Sequence, residues 1–235
     1  MFSLFKKSDE EKVVAESKFY TLIGAIFATV LVVSNIIAVK IADFGGGYFL
    51  SAAVIFFPIS YIISDILTEV YGYAAARRVL WTGFLCNLLA VIAISIAIRL
   101  APAPFFEGQE AYVSILGFSG RLLLASFIAY LVGGFTNSFV LAKMKVWMNG
   151  KKLWMRTIAS TIIGEGLDSF IFTTIAFLGV FTGAQVAHVA LYEWIAKSLF
   201  EIVLTPVTYA IVGFLKKAEG IDHYDTTTNF TFLKY

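Results

Sequence analysis

Six long apolar segments separated by short polar connections make up most of the chain. They cover residues 20–42, 49–72, 79–100, 122–142, 157–180 and 189–215. A helix of about 20 mostly apolar residues is long enough to cross the hydrocarbon core of a bilayer. The pattern therefore predicts an all-α, polytopic bundle of six transmembrane helices over 20–215, with an N-terminal arm at 1–19 and a C-terminal tail at 216–235.

The composition agrees with a membrane protein. The 235 residues are 59% hydrophobic and 14% charged, whereas a soluble domain has roughly 45–50% apolar and about 25% charged residues.

The positive residues predict the orientation of the bundle. Of the 18 Lys and Arg residues, 14 lie in the arm, in the second-to-third and fourth-to-fifth connections, or in the tail. The opposite side carries only Lys40, Arg99 and Arg121. Because cytoplasmic loops are enriched in Lys and Arg, both termini are expected to be cytoplasmic.

Two pairs of carboxylates interrupt the apolar segments. Asp65 and Glu69 are four residues apart, and Glu165 and Asp168 are three apart, so each pair shares one helical face. A charge at the bilayer centre costs roughly 2.5–3.5 kcal/mol, and such residues usually mark a substrate or ion pathway. We expect the two pairs to face each other across a cavity with Asn35 nearby. Since like charges cannot all stay ionised at low dielectric, Asp65 or Glu165 should hold a proton when the site is empty.

A third polar stripe lies in the last span. Glu193, Lys197 and Glu201 follow one another at intervals of four, so Lys197 could pair with either acid and fix the helix packing. A structural or coupling role is predicted for this stripe, with Arg77 and Arg78. Pairing with Arg77, Arg78 or Lys197 is also the structural alternative for the four carboxylates above.

Uncharged side chains add to the candidate binding site. Tyr61 and Trp81 could stack on a planar ligand, and Asn35 and Asn87 could hydrogen-bond to it. Each of these residues could equally serve helix-to-helix contact.

Several chemistries find no support in the sequence. The chain lacks a G-x-x-x-x-G-K-[ST] loop, so it cannot hydrolyse ATP by itself, and it lacks H-E-x-x-H. His188 and His223 are far apart in sequence, and no metal site or other cofactor is predicted. The positive residues form no patch interleaved with aromatic residues, so no nucleic-acid partner is expected.

Long motifs in the spans match a known family. They comprise Ser34 to Lys40, the stretch 58–72 (PISYIISDILTEVYG), Ala76-Arg77-Arg78, Trp81, Gly83, Asn87, Gly164-Glu165, Asp168-Ser169, Phe172, Lys197, Glu201, Pro206 and Tyr209. In these residues the chain resembles the queuosine precursor transporter family, also called the vitamin uptake transporter-like family.

The resemblance implies a multi-pass transporter of the bacterial inner membrane, not an enzyme. Its substrates would be 7-cyano-7-deazaguanine and 7-aminomethyl-7-deazaguanine, which feed queuosine synthesis in tRNA. The adjacent N1–H and exocyclic amine of a deazaguanine suit one bidentate carboxylate, and the flat ring suits an aromatic platform.

Other functional classes stay open at this point. The chain could be the substrate-binding subunit of an ATP-driven vitamin importer, docked through small residues such as Ala38-x-x-x-Ala42. An intramembrane enzyme and a structural membrane partner are further alternatives, and a homodimer is also left open. Uptake by the protein alone in liposomes would separate the transporter from the importer subunit.

Overall fold

The computed structural model describes residues 17–43, 49–117 and 120–231, so most of the predicted N-terminal arm lies outside the described residues. Within these ranges the chain forms seven α-helices and one short ribbon. The helices are α1 (Tyr20–Ile37), α2 (Phe57–Tyr71), α3 (Tyr73–Arg99), α4 (Gln109–Leu116), α5 (Gly120–Trp147), α6 (Leu153–Phe177) and α7 (Gly183–Glu219). Strands β1 (Ile41–Asp43) and β2 (Phe49–Ser51) pair antiparallel, and a 3-10 turn, Ala52–Ile55, leads into α2.

The prediction of six transmembrane helices is confirmed. Six helical stretches are long and apolar enough to cross a membrane, and the second of them, Ala52–Tyr71, comprises the 3-10 turn and α2. Helix α4 has only eight residues. Large apolar side chains such as Leu89 on α3 and Val203 on α7 are exposed on the outside of the bundle, as expected for surfaces that contact lipid.

The predicted helix bounds were wrong at several ends. Helix α1 ends at Ile37 instead of 42, because residues 41–43 pair with 49–51 in the ribbon. Helix α3 begins at Tyr73 instead of 79, and it therefore contains Arg77 and Arg78. Helix α7 continues to Glu219, beyond the predicted end at 215.

Helix α2 lies at the centre of the bundle. All residues from Ser60 to Tyr71 are buried, and the helix packs against α1, α3, α5 and α7. A helix covered on all sides places its polar residues inside the protein, so Asp65 and Glu69 are both almost completely shielded from solvent.

A single glycine separates α2 from α3. Gly72 has φ +87°, a conformation that L side chains rarely adopt. The ring of His223 also fills the space above it, 2.3 Å from where a Cβ atom would lie. The next residue, Tyr73, donates its backbone N–H to both carboxylate oxygens of Asp225, at 3.0 and 3.1 Å. An acidic residue of the tail thus caps the N-terminus of α3.

The tail folds back over one end of the bundle, which we call the basic end. This end is formed by the α2–α3 junction, the α5–α6 connection and the end of α7. Arg77 donates to the backbone oxygens of Asn229 (2.9 Å) and Thr231 (2.8 Å), and the Phe230 ring packs 5.0 Å from that of Tyr73. The predicted tail therefore forms part of the folded bundle.

Candidate functional site

The acidic residues of the spans fall into two layers. Asp65, Glu165, Asp168 and Glu201 lie with Lys197 near the middle of their helices, and we call these five residues the mid-bundle cluster. Glu69 lies one turn from Asp65, about 6 Å along α2, and joins a separate network at the basic end. The structure thus gives Asp65 and Glu69 different partners, and substrate-binding roles for both stay predictions.

Three cations surround Glu69. The Arg156 guanidinium donates to both carboxylate oxygens, Lys216 Nζ donates to Oε1 at 2.7 Å, and Lys145 Nζ lies 3.7 Å from Oε1. The side chains of Glu69, Arg156 and Lys145 are almost fully buried. These three cations surround one buried carboxylate, and their contacts join α2 to α5, α6 and α7.

Asp222 of the tail extends this network. It pairs with Lys145 at 2.5 Å and with Lys216 at 2.8 Å. Burial raises the pKa of the Asp222 carboxyl, but the hydrogen bonds and charges of the two lysines outweigh burial and leave the pKa below its usual value. The contacts lock the tail to the ends of α5 and α7.

These partners differ from those expected from the sequence. The structural alternative named Arg77, Arg78 or Lys197 as partners of the acids, yet Arg156, Lys145 and Lys216 surround Glu69. The sequence analysis did not identify these three residues as partners of Glu69, because the positive-inside rule already accounts for Lys and Arg in the segments predicted to be cytoplasmic. The concentration of positive residues at the ends of three helices was the one signal that could have indicated an ion-pair network there.

Lys197 lies between the two acids of α6. Its Nζ is 2.7 Å from Asp168 Oδ2 and 3.2 Å from Glu165 Oε2. The structural alternative in which Lys197 pairs with these two acids is therefore observed, and among the described residues no salt bridge joins Lys197 to Glu193 or Glu201 on its own helix. In its observed position Lys197 neutralises two buried carboxylates of α6, and both would lack a cation if Lys197 paired along its own helix.

An aromatic surface adjoins this ion pair. Lys197 Nζ lies 5.0 Å from the centre of the Phe57 ring, and the Phe57 and Tyr61 rings are 6.0 Å apart. The Tyr61 hydroxyl is buried and interacts electrostatically with Asp168, Glu165 and Asp65. It has no hydrogen-bond partner within the described part of the chain.

Asp65 has a different environment from the acids of α6. Asn137 Nδ2 donates to Asp65 Oδ1 at 2.5 Å. Over the residues that the structure describes, Asp65 Oδ2, Asn137 Oδ1 and Glu201 Oε1 are buried without a hydrogen-bond partner. Buried polar atoms are nearly always hydrogen-bonded, so an unpartnered group of this kind calls for an explanation such as ligand binding.

Two glycines bring α5 and α6 together beside these groups. A Cβ atom on Gly133 would lie 2.8 Å from both Asp168 Cβ and Tyr61 Oη, and one on Gly164 would lie 2.7 Å from Asn137 Cβ. Small residues allow such close helix approach in membranes. This crossing places Asn137 of α5 next to the acids of α2 and α6.

Comparison with protein families shows which family the chain belongs to. A family model described as a putative vitamin uptake transporter matches residues 51–211. The chain belongs to this family. The matched region contains the whole mid-bundle cluster and Glu69, and it ends before the tail.

Curated bacterial relatives carry related names. The chain is 28% identical over 151 residues to a probable queuosine precursor transporter of Bacillus subtilis, an alignment that covers 64% of this chain and 66% of the relative. It is 26% identical to a probable queuosine precursor transporter of Haemophilus influenzae (66% and 65% covered) and 25% identical to the queuosine precursor transporter of Escherichia coli (66% and 69%). The chain thus spans about two thirds of the length of these relatives. No solved structure matches it.

The family and the six spans agree on the location of the protein. The relatives are bacterial and the spans are apolar helices, so this family member is a multi-pass protein of the bacterial inner membrane.

Other predicted site residues lie elsewhere in the bundle. Asn35 of α1 donates to Asn87 of α3 at 2.9 Å, whereas the mid-bundle cluster is built by α2, α6 and α7. Trp81 packs against Phe84 and Phe135. Trp81 also lines an apolar cavity of about 350 Å³ together with Tyr73, Leu131, Val132, Phe135, Thr136, Phe139 and Phe230. Binding roles for Asn35, Asn87 and Trp81 stay predictions.

The described residues contain no cluster of three or more His, Cys, Asp or Glu side chains arranged to hold a metal ion. Lys197 pairs with Glu165 and Asp168, Asn137 donates to Asp65, and the cations of the basic end surround Glu69.

Proposed function

We propose that the protein carries 7-deazaguanine precursors of queuosine, in their cyano and aminomethyl forms, across the inner membrane. The observation that carries the proposal is the mid-bundle cluster itself, in which charged and polar atoms without hydrogen-bond partners in the described structure lie at the centre of six apolar helices. The names of the curated relatives support the same substrate class.

The chemistry of Glu165 and Lys197 suits the edge of a guanine-like base. This edge presents an O6 acceptor beside the N1–H and amine donors. A carboxylate accepts from the two donors, and the Lys197 ammonium can donate to O6. Glu165 Oε2 is ion-paired with Lys197 at 3.2 Å but accepts no hydrogen bond from any described residue, so it retains capacity for a ligand.

The neighbouring aromatic residues suit the flat ring. Phe57 lies against Lys197, and Tyr61 lies next to Phe57. A planar ligand between these rings and α6 would also place its polar edge toward Asp168 and the Tyr61 hydroxyl. For the aminomethyl form, its cationic group would compete with Lys197 for the acids of α6.

Ligand binding by purified protein tests the proposal. We expect 7-cyano-7-deazaguanine to raise the unfolding temperature of the wild type. The Glu165→Gln variant should bind it roughly 10- to 100-fold more weakly, because a hydrogen bond to a charged group contributes about 1.5–3 kcal/mol. Glu110→Gln is a matched control, since Glu110 is exposed on α4. Equal binding by the Glu165→Gln and wild-type proteins would remove Glu165 from the site.

Uptake by the protein alone in liposomes tests transport. We expect the wild type to accumulate or exchange labelled 7-cyano-7-deazaguanine without ATP or another subunit. Tight binding with no transport would instead indicate the substrate-binding subunit of an ATP-driven importer.

A further inference from the structure

Asp65 and Glu201 differ from every other buried acid of the spans. Glu69 has three cationic neighbours, and Glu165 and Asp168 share Lys197. No salt bridge reaches Asp65 or Glu201 from any residue that the structure describes, although their exposed fractions are 0% and 2%. The two carboxylates interact with each other electrostatically across the α2–α7 contact.

The remaining neighbours do not neutralise this pair. Asp65 is faced by Tyr61 and Glu69 of its own helix, by Asn137 of α5, by Arg156 of α6 and by Glu201 of α7. Arg156 is the cation among them, but its guanidinium is hydrogen-bonded to Glu69 and to the backbone oxygens of Lys151 and Gly150. Its charge is already engaged at the basic end.

The side chain of Asn137 gives independent evidence that a group is missing at this pair. Its amide is fully buried, its Nδ2 donates to Asp65 Oδ1, and its Oδ1 has no partner among the described residues. Asn137 therefore hydrogen-bonds to one oxygen of Asp65, while Asp65 Oδ2 and the amide oxygen of Asn137 itself both remain without a donor among the described residues. Acceptors outnumber donors around the pair, so the missing component is a donor or a cation.

We propose that Asp65 and Glu201 form the coupling site of the transporter and carry one proton, which crosses the membrane together with the substrate. This inference rests on the proposed transport function. A single proton supplies the missing donor at two carboxylates that are buried on packed helices, each with an oxygen atom that has no hydrogen-bond partner among the described residues. It also requires only two oxygens, whereas a metal cation would require several more oxygen ligands around it.

The separation of the two sites explains how coupling could arise. Substrate would bind at Glu165, Asp168 and Lys197, while the proton occupies Asp65 and Glu201 on α2 and α7. The Tyr61 hydroxyl interacts electrostatically with Asp65 and with both acids of α6, so it links the two sites. Entry of a neutral substrate with one proton moves net positive charge inward, a movement that the membrane potential favours.

Gradient-driven uptake and counterflow distinguish coupling from substrate binding. In proteoliposomes with an acidic exterior, wild-type protein should accumulate 7-cyano-7-deazaguanine, and a protonophore should abolish the accumulation. A gradient of about 1.5 pH units can support at most about 30-fold accumulation for one proton per substrate. Glu201→Gln should lose this accumulation but retain counterflow exchange, which requires no net proton movement.

Asp65→Asn is the second variant, and Glu110→Gln is the matched control. Asp65→Asn should behave like Glu201→Gln, while Glu110→Gln should behave like the wild type. Accumulation that follows a sodium gradient, or that is equal in Glu201→Gln and wild type, would overturn the inference. Loss of counterflow in both variants would also overturn it, because the pair would then serve binding or folding. Failure of counterflow in the wild type would instead contradict the proposed function itself.

Discussion

Removing the charge of Glu69 should destabilise the folded bundle more than any other single neutralisation at the basic end. The Glu69→Gln variant keeps the size of the side chain and an acceptor oxygen. It leaves Arg156, Lys145 and Lys216 around an uncharged group, with Asp222 as the remaining carboxylate of this network. Asp222 is 43% exposed, and its salt bridges within the described ranges are with the two lysines, so Arg156 would be buried without a salt-bridge partner.

The structure sets the expected magnitude. Breaking a buried ion pair by removing one partner costs about 3–5 kcal/mol. Because Gln still accepts a hydrogen bond, we expect a loss near the lower limit, about 3 kcal/mol. For a chain of this size each kcal/mol lowers the unfolding temperature by roughly 2–4 °C, so the shift should be roughly 6–12 °C.

The assay is thermal unfolding of purified protein in detergent, followed by size-exclusion chromatography of the heated samples. Glu110→Gln, on the exposed face of α4, should unfold with the wild type. The double variant Glu69→Gln/Arg156→Met should lose less stability than the sum of the two single variants, because the two residues interact directly. A Glu69→Gln shift of under about 2 °C, with additive effects in the double variant, would refute the view that this network joins the four helices.

Two further predictions concern the tail and the orientation. Because the pKa of Asp222 is lowered in the folded protein, its ion pairs stabilise the fold above the usual pKa of 3.8 and are lost as the pH falls through the lower, folded value. The unfolding temperature of the wild type should therefore fall more steeply in acid than that of Asp222→Asn, and parallel pH profiles would contradict this assignment. Reporter fusions after Lys152 and after Gly183 should read cytoplasmic and external respectively, and the reverse result would overturn the predicted orientation.

The apolar pattern predicted the number of spans but not their exact limits. Segment length and hydropathy determine whether a helix can cross a bilayer, and they were sufficient to predict six helices. The start of α3 involves tertiary contacts, because Arg77 is buried in this helix and carbonyl oxygens of the tail accept its hydrogen bonds. Arg77 and residues 229–231 are far apart in sequence, so the local sequence pattern could not predict this contact.

The sequence by itself also identified the residues that require an explanation. Asp65, Glu69, Glu165 and Asp168 stand out because a carboxylate in an apolar segment is unfavourable without a partner. Spacing along one helix could show which of them share a face, but it could not show what faces them from other helices.

Only the tertiary structure decided the partners. Asp65 and Glu69 share a face of α2, yet one turn of helix places Glu69 among three cations and Asp65 beside Asn137 and Glu201. Lys197 forms its salt bridges with the acids of α6 and not with those on its own helix. The physical reason is that a buried charge needs a partner close in space, and the packing of α2, α5, α6 and α7 determines which charges meet.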